Sequence, residues 1–160
     1  DIGCGFGRSV SWMADNYDKV IGTDISKHVI AAATKNCEHL DNIAFYVNGP
    51  DSLPADILPA SVDVAYIFTV LQHIPREYTQ NILCSVERVL KPGGRVVFNL
   101  LSNVNEELNE GEKHTEWAIG YSEDQARNLL RDSGLREERL VYWSRPETAI
   151  NWLWVSGIKQ

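Results

Sequence analysis

A chain of 160 residues with a net charge of −7 at neutral pH holds one domain's worth of sequence under an acidic surface. Its composition, 44% apolar and 23% charged, is that of a folded globular domain, which excludes a disordered or fibrous class. No apolar run is long enough to cross a bilayer, and the acidity argues against direct nucleic-acid binding, since tracking phosphates takes clustered lysine and arginine. No basic segment followed by an apolar one is visible as a secretion leader. Three cysteines, Cys4, Cys37 and Cys84, are odd in number and widely spaced, so they read as free thiols of a reducing cytoplasm.

The chain opens on Asp1-Ile2-Gly3-Cys4-Gly5-Phe6-Gly7-Arg8, three glycines at alternate positions after an acid. Glycines so placed let a backbone turn sharply out of a strand and approach a ligand with no Cβ between. The spacing is G-x-G-x-G; a dinucleotide fingerprint would need glycine at position 8, where Arg8 stands. A strand feeding this turn would sit in the middle of a sheet, and its apolar residues are not among these 160. The expectation is a single domain over 1–160 whose first strand is mostly missing.

Val10, Met13, Ala14 and Tyr17 recur at helical spacing, predicting a first helix over 7–16. A buried parallel strand follows over 19–24, ending in Asp24, and Ser26 is placed to cap a helix whose apolar face carries Val29, Ile30, Ala33, Cys37 and Leu40. A third strand is expected over 42–47, a proline-bearing loop over 48–61, and a fourth strand over 62–69. Pro75 opens a helix with Tyr78, Ile82, Val86, Val89 and Leu90 inward, stopped by Pro92-Gly93-Gly94, and a fifth strand spans 95–101. The acidic stretch 102–120 reads as a lid or binding loop. Ser122 and Gln125 form a capping box for a helix carrying Ala126, Leu129 and Leu130, with Gly134 as its stop. Two closing strands, 139–144 and 150–158, have no helix between them and predict an antiparallel edge hairpin.

Strand and helix alternation ending in such a hairpin is an α/β, Rossmann-like doubly wound sheet. The glycine turn, Asp24 after the second strand, the segment from Val62-Asp63 through Leu71-Gln72-His73-Ile74, and Leu90-Lys91-Pro92-Gly93-Gly94 stand in order. Together they resemble the class I S-adenosylmethionine (SAM) dependent methyltransferases over nearly the whole chain. The resemblance implies strand order 3-2-1-4-5-7-6 with strand 7 antiparallel, SAM as cofactor, and transfer of its methyl to an oxygen, nitrogen or carbon of a small-molecule acceptor.

It also implies where the cofactor sits. Main chain at Gly3, Cys4, Gly5 and Gly7 would lie against the methionine and ribose portion, with Asp1 toward the ammonium. Asp24 would accept from the ribose hydroxyls, as an acid at this position does for NAD also, or else cap the next helix; Ile25 would pack on adenine. Where the family commonly carries an acid for the adenine amine, this chain has Asn48-Gly49, with Asp51 a second candidate; Asn48 can accept through its carbonyl oxygen or serve only as a turn residue. Main-chain atoms near Thr69 would meet the methionine ammonium, at the crevice onto which Phe68 and Leu71 also open.

His73 is a candidate general base, or a structural residue of the loop beside Gln72. Arg8 either pairs with the cofactor carboxylate or is solvated. Glu106, Glu107, Glu110, Glu112, His114, Glu116 and Trp117 either shape an acceptor site or form a solvated loop. Histidines and cysteines lack metal-ligand spacing, so no metal is expected. Two other readings stand beside the enzyme: a non-catalytic methyltransferase-like domain acting as an assembly partner, and a nicotinamide-dependent oxidoreductase, which Arg8 opposes.

Overall fold

The computed structural model describes residues 1–102, 119–145 and 150–160. Its elements are α1 (Arg8–Ala14), β1 (Val20–Asp24), α2 (Lys27–Asn36), β2 (Ile43–Val47), β3 (Val62–Ile67), a 3-10 turn (Leu71–His73) and α3 (Arg76–Val89), followed by β4 (Leu90–Ser102). Then come β5 (Gly120–Tyr121), α4 (Glu123–Asp132), β6 (Leu135–Arg145) and β7 (Ile150–Lys159). The acidic residues from Glu106 to Trp117 named above lie outside the described residues.

β1 pairs with β2, and β3 pairs with β4, both in parallel. β7 runs antiparallel between β4 and β6. Among the described residues, Ile2 joins the two groups, bridging Thr23 of β1 and Ile67 of β3, both in parallel sense. The lateral order is therefore β2-β1-Ile2-β3-β4-β7-β6, which is 3-2-1-4-5-7-6 with the central strand reduced to Ile2. Main-chain bonds continue the ladder on either side, from Ile2 N–H to Tyr66 O (2.9 Å), Thr23 N–H to Asp1 O (2.8 Å) and Asp1 nitrogen to Ile21 O (2.7 Å). Below that point β1 and β3 flank a cavity of about 1060 Å³, lined among others by Val20, Ile21, Val62, Val64 and Tyr66. Asp1 lines it, but Gly3, Cys4, Gly5, Gly7, Asp24, Asn48 and Thr69 do not, so it is a slot between strands and separate from the crevice at their carboxyl ends.

Alternation along β1 separates two cores. Val20 packs with Val10 of α1 and Ile30 of α2 on one face, whereas Ile21 packs into the larger cluster on the other. That larger cluster joins Ile67, Phe98, Leu100 and Val155 of the sheet to Leu83 and Val86 of α3 and to Ala126 and Leu130 of α4. Leu153 and Val155 are buried while Trp152 and Trp154, one residue out of phase, are half-exposed on the opposite face, as the period of two requires.

Local chemistry sets the boundaries. Ser26 caps α2 by accepting from Val29 N–H, and Ser122 with Gln125 forms the reciprocal box that opens α4. The Asn42 amide donates to Ala14 O and Tyr17 O (2.9 and 3.0 Å), satisfying carbonyls at the end of α1. Arg88 ties the loop after β2 to α3 by donating to Ile57 O and Pro54 O (2.9 and 3.3 Å).

Several boundaries and one inward position differ from the sequence expectation, β6 among them, which begins at Leu135 and not at 139. α1 stops at Ala14, leaving Tyr17 exposed. β3 ends at Ile67 because Thr69 adopts φ 57°, which no strand residue can hold. The inward residue near the start of α3 is Thr79, fully buried and accepting from the Tyr121 hydroxyl (3.2 Å), while Tyr78 is half-buried. Pro92-Gly93-Gly94 does not stand clear of the sheet: β4 begins at Leu90, and its pairing with β3 slips between Val62 and Val64.

Candidate functional site

At the carboxyl ends of the parallel strands the first residues make a left-handed turn, with φ of 73° at Gly3, 54° at Gly5 and 85° at Gly7. Gly3 and Cys4 N–H both donate to Thr23 O (2.8 and 2.9 Å), so the turn is fastened to the end of β1. Gly7 then serves as N-cap of α1. A methyl group at Gly3 would lie 2.3 Å from Val70 Cγ2, so the segment after β3 presses directly on the turn. At Gly5 a methyl group would meet nothing within 4 Å. That is an open cradle faced by bare backbone.

Asp24 is the centre of this arrangement. One carboxylate oxygen accepts from Gly5 N–H (3.2 Å) and the other from Ser26 N–H (2.9 Å), while its main-chain oxygen accepts from Asn48 N–H (3.0 Å). It thus closes a turn onto the Ser26 cap of α2 and also ties the glycine turn to β1 and β2. Each carboxylate oxygen retains a lone pair for another donor. Ile25 beside it is 59% exposed, an apolar surface at the crevice mouth.

Asn48 donates its amide to Gly49 O (2.6 Å), which leaves its buried carbonyl oxygen unpartnered. A buried acceptor without a donor costs about 1–3 kcal/mol, a cost that a donor on a ligand would remove. Asp51 is held from α3, accepting from the Asn81 amide (3.4 Å). Asn48 is thus joined to Asp24 through its main chain, whereas Asp51 is turned toward α3, and both keep acceptor capacity. Asp1 accepts from the Ser9 hydroxyl on α1.

On the far side of the turn, Thr69 is half-buried, with its N–H donating to Asn99 Oδ1 (2.7 Å). Leu71 and Gln72 are buried, Phe68 is partly exposed, and Gln72 O accepts from Ile119 N–H (2.8 Å), which pins the 3-10 turn. His73 is exposed, its Nε2 3.2 Å from the Gln72 amide nitrogen. Arg8 opens α1 with its side chain exposed. The pattern reading passes over Asn99, whose signal is a lone amide inside the apolar run from Val96 to Leu101.

Cys4 has its thiol pushed up to about 11, first by burial and then by the negative charge of Asp24. The thiolate is the disfavoured form in the folded state, so this group's contribution to stability is present below pH 9 and is lost as pH rises from 9 toward 11. Alkylation at pH 8 is accordingly expected to mark the exposed Cys84 well ahead of buried Cys4 and Cys37, as read by peptide mass spectrometry. Equal labelling of all three would contradict this packing. Among the described residues no group of three His, Cys, Asp or Glu is placed to hold a metal ion, and no helix is long and apolar enough to cross a membrane.

Comparison with known proteins agrees with this geometry. The family described as a methyltransferase domain matches residues 1–98. A ubiquinone biosynthesis O-methyltransferase of Methylococcus capsulatus is 28% identical over 102 residues, which are 64% of this chain and 42% of that protein. A demethylmenaquinone methyltransferase of Tropheryma whipplei is 33% identical over 97 residues, 61% of this chain and 38% of that protein. The matched region thus spans about two fifths of these curated relatives. In fold, the chain is similar to a crystal structure of a SAM-dependent methyltransferase from Methanosarcina mazei, with a TM-score of 0.80 at 22% identity, covering 99% of this chain and 90% of the other.

Proposed function

The chain belongs to the SAM-dependent methyltransferase family whose domain matches its residues 1–98, and from that membership we propose that the protein transfers the methyl of SAM to a small-molecule acceptor in the cytoplasm. The observation that carries the reading is the cradle at Gly5, closed on one side by Asp24 and flanked by an unpartnered Asn48 acceptor. SAM carries no pyrophosphate, so a bare-backbone cradle with two acceptors suits its ribose and adenine better than an anion site would. In this reading Asp24 accepts from the ribose hydroxyls, Asn48 from the adenine amine, and Ile25 covers the adenine ring. Main chain at Gly3, Cys4, Gly5, Gly7 and Thr69, together with Asp1 and Gly49, encloses the rest.

Bound there, SAM supplies an electrophilic methyl on a sulfonium that is already a good leaving group. An acceptor oxygen, nitrogen or carbon would bond to that methyl as the carbon–sulfur pair stayed with sulfur and S-adenosylhomocysteine left. What remains for the protein is alignment of the acceptor, exclusion of water and, where the nucleophile carries a proton, its removal. His73, at the mouth of the crevice after β3, is the candidate for that proton. The ubiquinone biosynthesis O-methyltransferase and demethylmenaquinone methyltransferase relatives support a planar, largely apolar acceptor. We also propose that an apolar strand running into Asp1 fills the slot between β1 and β3, completing the single domain.

The test is turnover. Incubation of the full-length protein with methyl-labelled SAM and a panel of phenol and quinol acceptors is expected to give labelled product and S-adenosylhomocysteine. Tight cofactor binding with no transfer to any acceptor would favour the assembly-partner reading instead.

A further inference from the structure

Thr69 is β-branched, yet it holds φ 57°, a conformation that costs about 1–3 kcal/mol for such a residue and persists only when its surroundings impose it. Its surroundings do so through Asn99. The Asn99 Oδ1 accepts from Thr69 N–H at 2.7 Å, and the Thr69 hydroxyl donates to Phe68 O at 2.7 Å. Asn99 is 1% exposed, although it lies on the sheet face opposite the large core, in register with Trp154 of β7. Phe68 and Trp154, on the strands either side of β4, stack with centroids 5.4 Å apart and planes 19° from parallel, and so roof the asparagine. The acceptor end of the bond is therefore buried, which strengthens it although Thr69 itself is only half-buried.

The consequence is felt at the glycine turn. Val70, the next residue, is the side chain against which a methyl on Gly3 would collide, and Val70 O accepts from His73 N–H to open the 3-10 turn. A left-handed Thr69 therefore sets where Val70 lies on Gly3 and where the backbone of 68–70 faces the crevice. We propose that Asn99 is a positioning residue for the cofactor: through its Oδ1 it locks Thr69 in the left-handed state that shapes one wall of the site, while its buried Nδ2 has no partner among the described residues. This rests on reading the crevice as the SAM site. Thr69 alone would relax toward a right-handed or extended backbone, and the wall would move with it.

Three measurements on the full-length protein test this. In the wild type, hydrogen exchange at the Thr69 amide is expected to be slow even without ligand, and in Asn99→Ala it becomes as fast as in an open loop. Asn99→Ala is expected to raise the dissociation constant for S-adenosylhomocysteine about tenfold or more, as befits loss of one sheltered hydrogen bond and the geometry it holds. Adding Thr69→Gly to Asn99→Ala is expected to recover most of that affinity, because glycine adopts φ near 57° without strain. An asparagine that mattered only for packing would show no such rescue. Fast exchange at Thr69 in the wild type, unchanged affinity in Asn99→Ala, or an affinity loss that Thr69→Gly leaves untouched would each overturn the proposal. Should Asn99→Ala fail to fold, exchange at the wild-type Thr69 amide and the milder Asn99→Ser variant, whose shorter side chain is expected to lose both the amide protection and the affinity, decide it. Failure of the cofactor reading itself shows separately, as a wild type that binds no S-adenosylhomocysteine while its Thr69 amide remains protected, and it ends the positioning role too.

Discussion

Asp24→Ala is expected to weaken S-adenosylhomocysteine binding by about a hundredfold or more, equivalent to roughly 3 kcal/mol. Two effects combine. The carboxylate is the natural acceptor for a pair of ribose hydroxyls, and hydrogen bonds to a charged acceptor contribute about 1.5–3 kcal/mol each. It also holds Gly5 N–H and Ser26 N–H, so its removal loosens the cradle before any ligand arrives. Asp24→Asn separates the two: one amide oxygen still accepts from a backbone N–H, while the charge offered to the ribose is gone. Intermediate affinity with near-normal melting is the expected outcome for that variant, measured by calorimetry and thermal unfolding. Wild-type affinity in both variants would remove Asp24 from the site.

Gly3→Ala is expected to destabilise the fold by about 2–4 kcal/mol, combining a left-handed alanine with a steric collision. The collision is specific: the new methyl would sit 2.3 Å from Val70 Cγ2 in a packed junction between the first turn and the segment after β3. Gly93 gives the control, since it holds φ 78° but a methyl there meets nothing within 4 Å. Gly93→Ala should therefore cost only the conformational part, about 1–2 kcal/mol. Gly5→Ala should resemble Gly93→Ala in denaturant unfolding, because φ is 54° and its surroundings are open, yet it alone of that pair should lose cofactor affinity. Equal unfolding free energies for Gly3→Ala and Gly93→Ala would show that Val70 does not press on the turn.

What sequence reading caught, and what it did not, follows from how local each signal is. The glycine turn, the Ser26 cap, the Ser122–Gln125 box and the Trp152 and Trp154 alternation are written in residues a few positions apart, and each appears where its local chemistry puts it. Asp24 ends its strand beside Gly5, as the acid after the second strand suggests. Misread features depend on partners far along the chain. β3 stops early because Thr69 turns to meet Asn99, 30 residues away. The short β5 exists only because Gly120 and Tyr121 find a free edge of β4 at Leu101 and Ser102. Thr79, not Tyr78, faces inward because the Tyr121 hydroxyl waits there. Composition likewise does not reveal that Ile2 bridges β1 and β3.

Calorimetric titration of S-adenosylhomocysteine into the intact protein, with NADH as the competitor, tests the central claim most directly. Micromolar binding of S-adenosylhomocysteine, undiminished by NADH and lost in Asp24→Ala, is the predicted result. A folded protein that releases no heat with S-adenosylhomocysteine, or that prefers NADH, would contradict it.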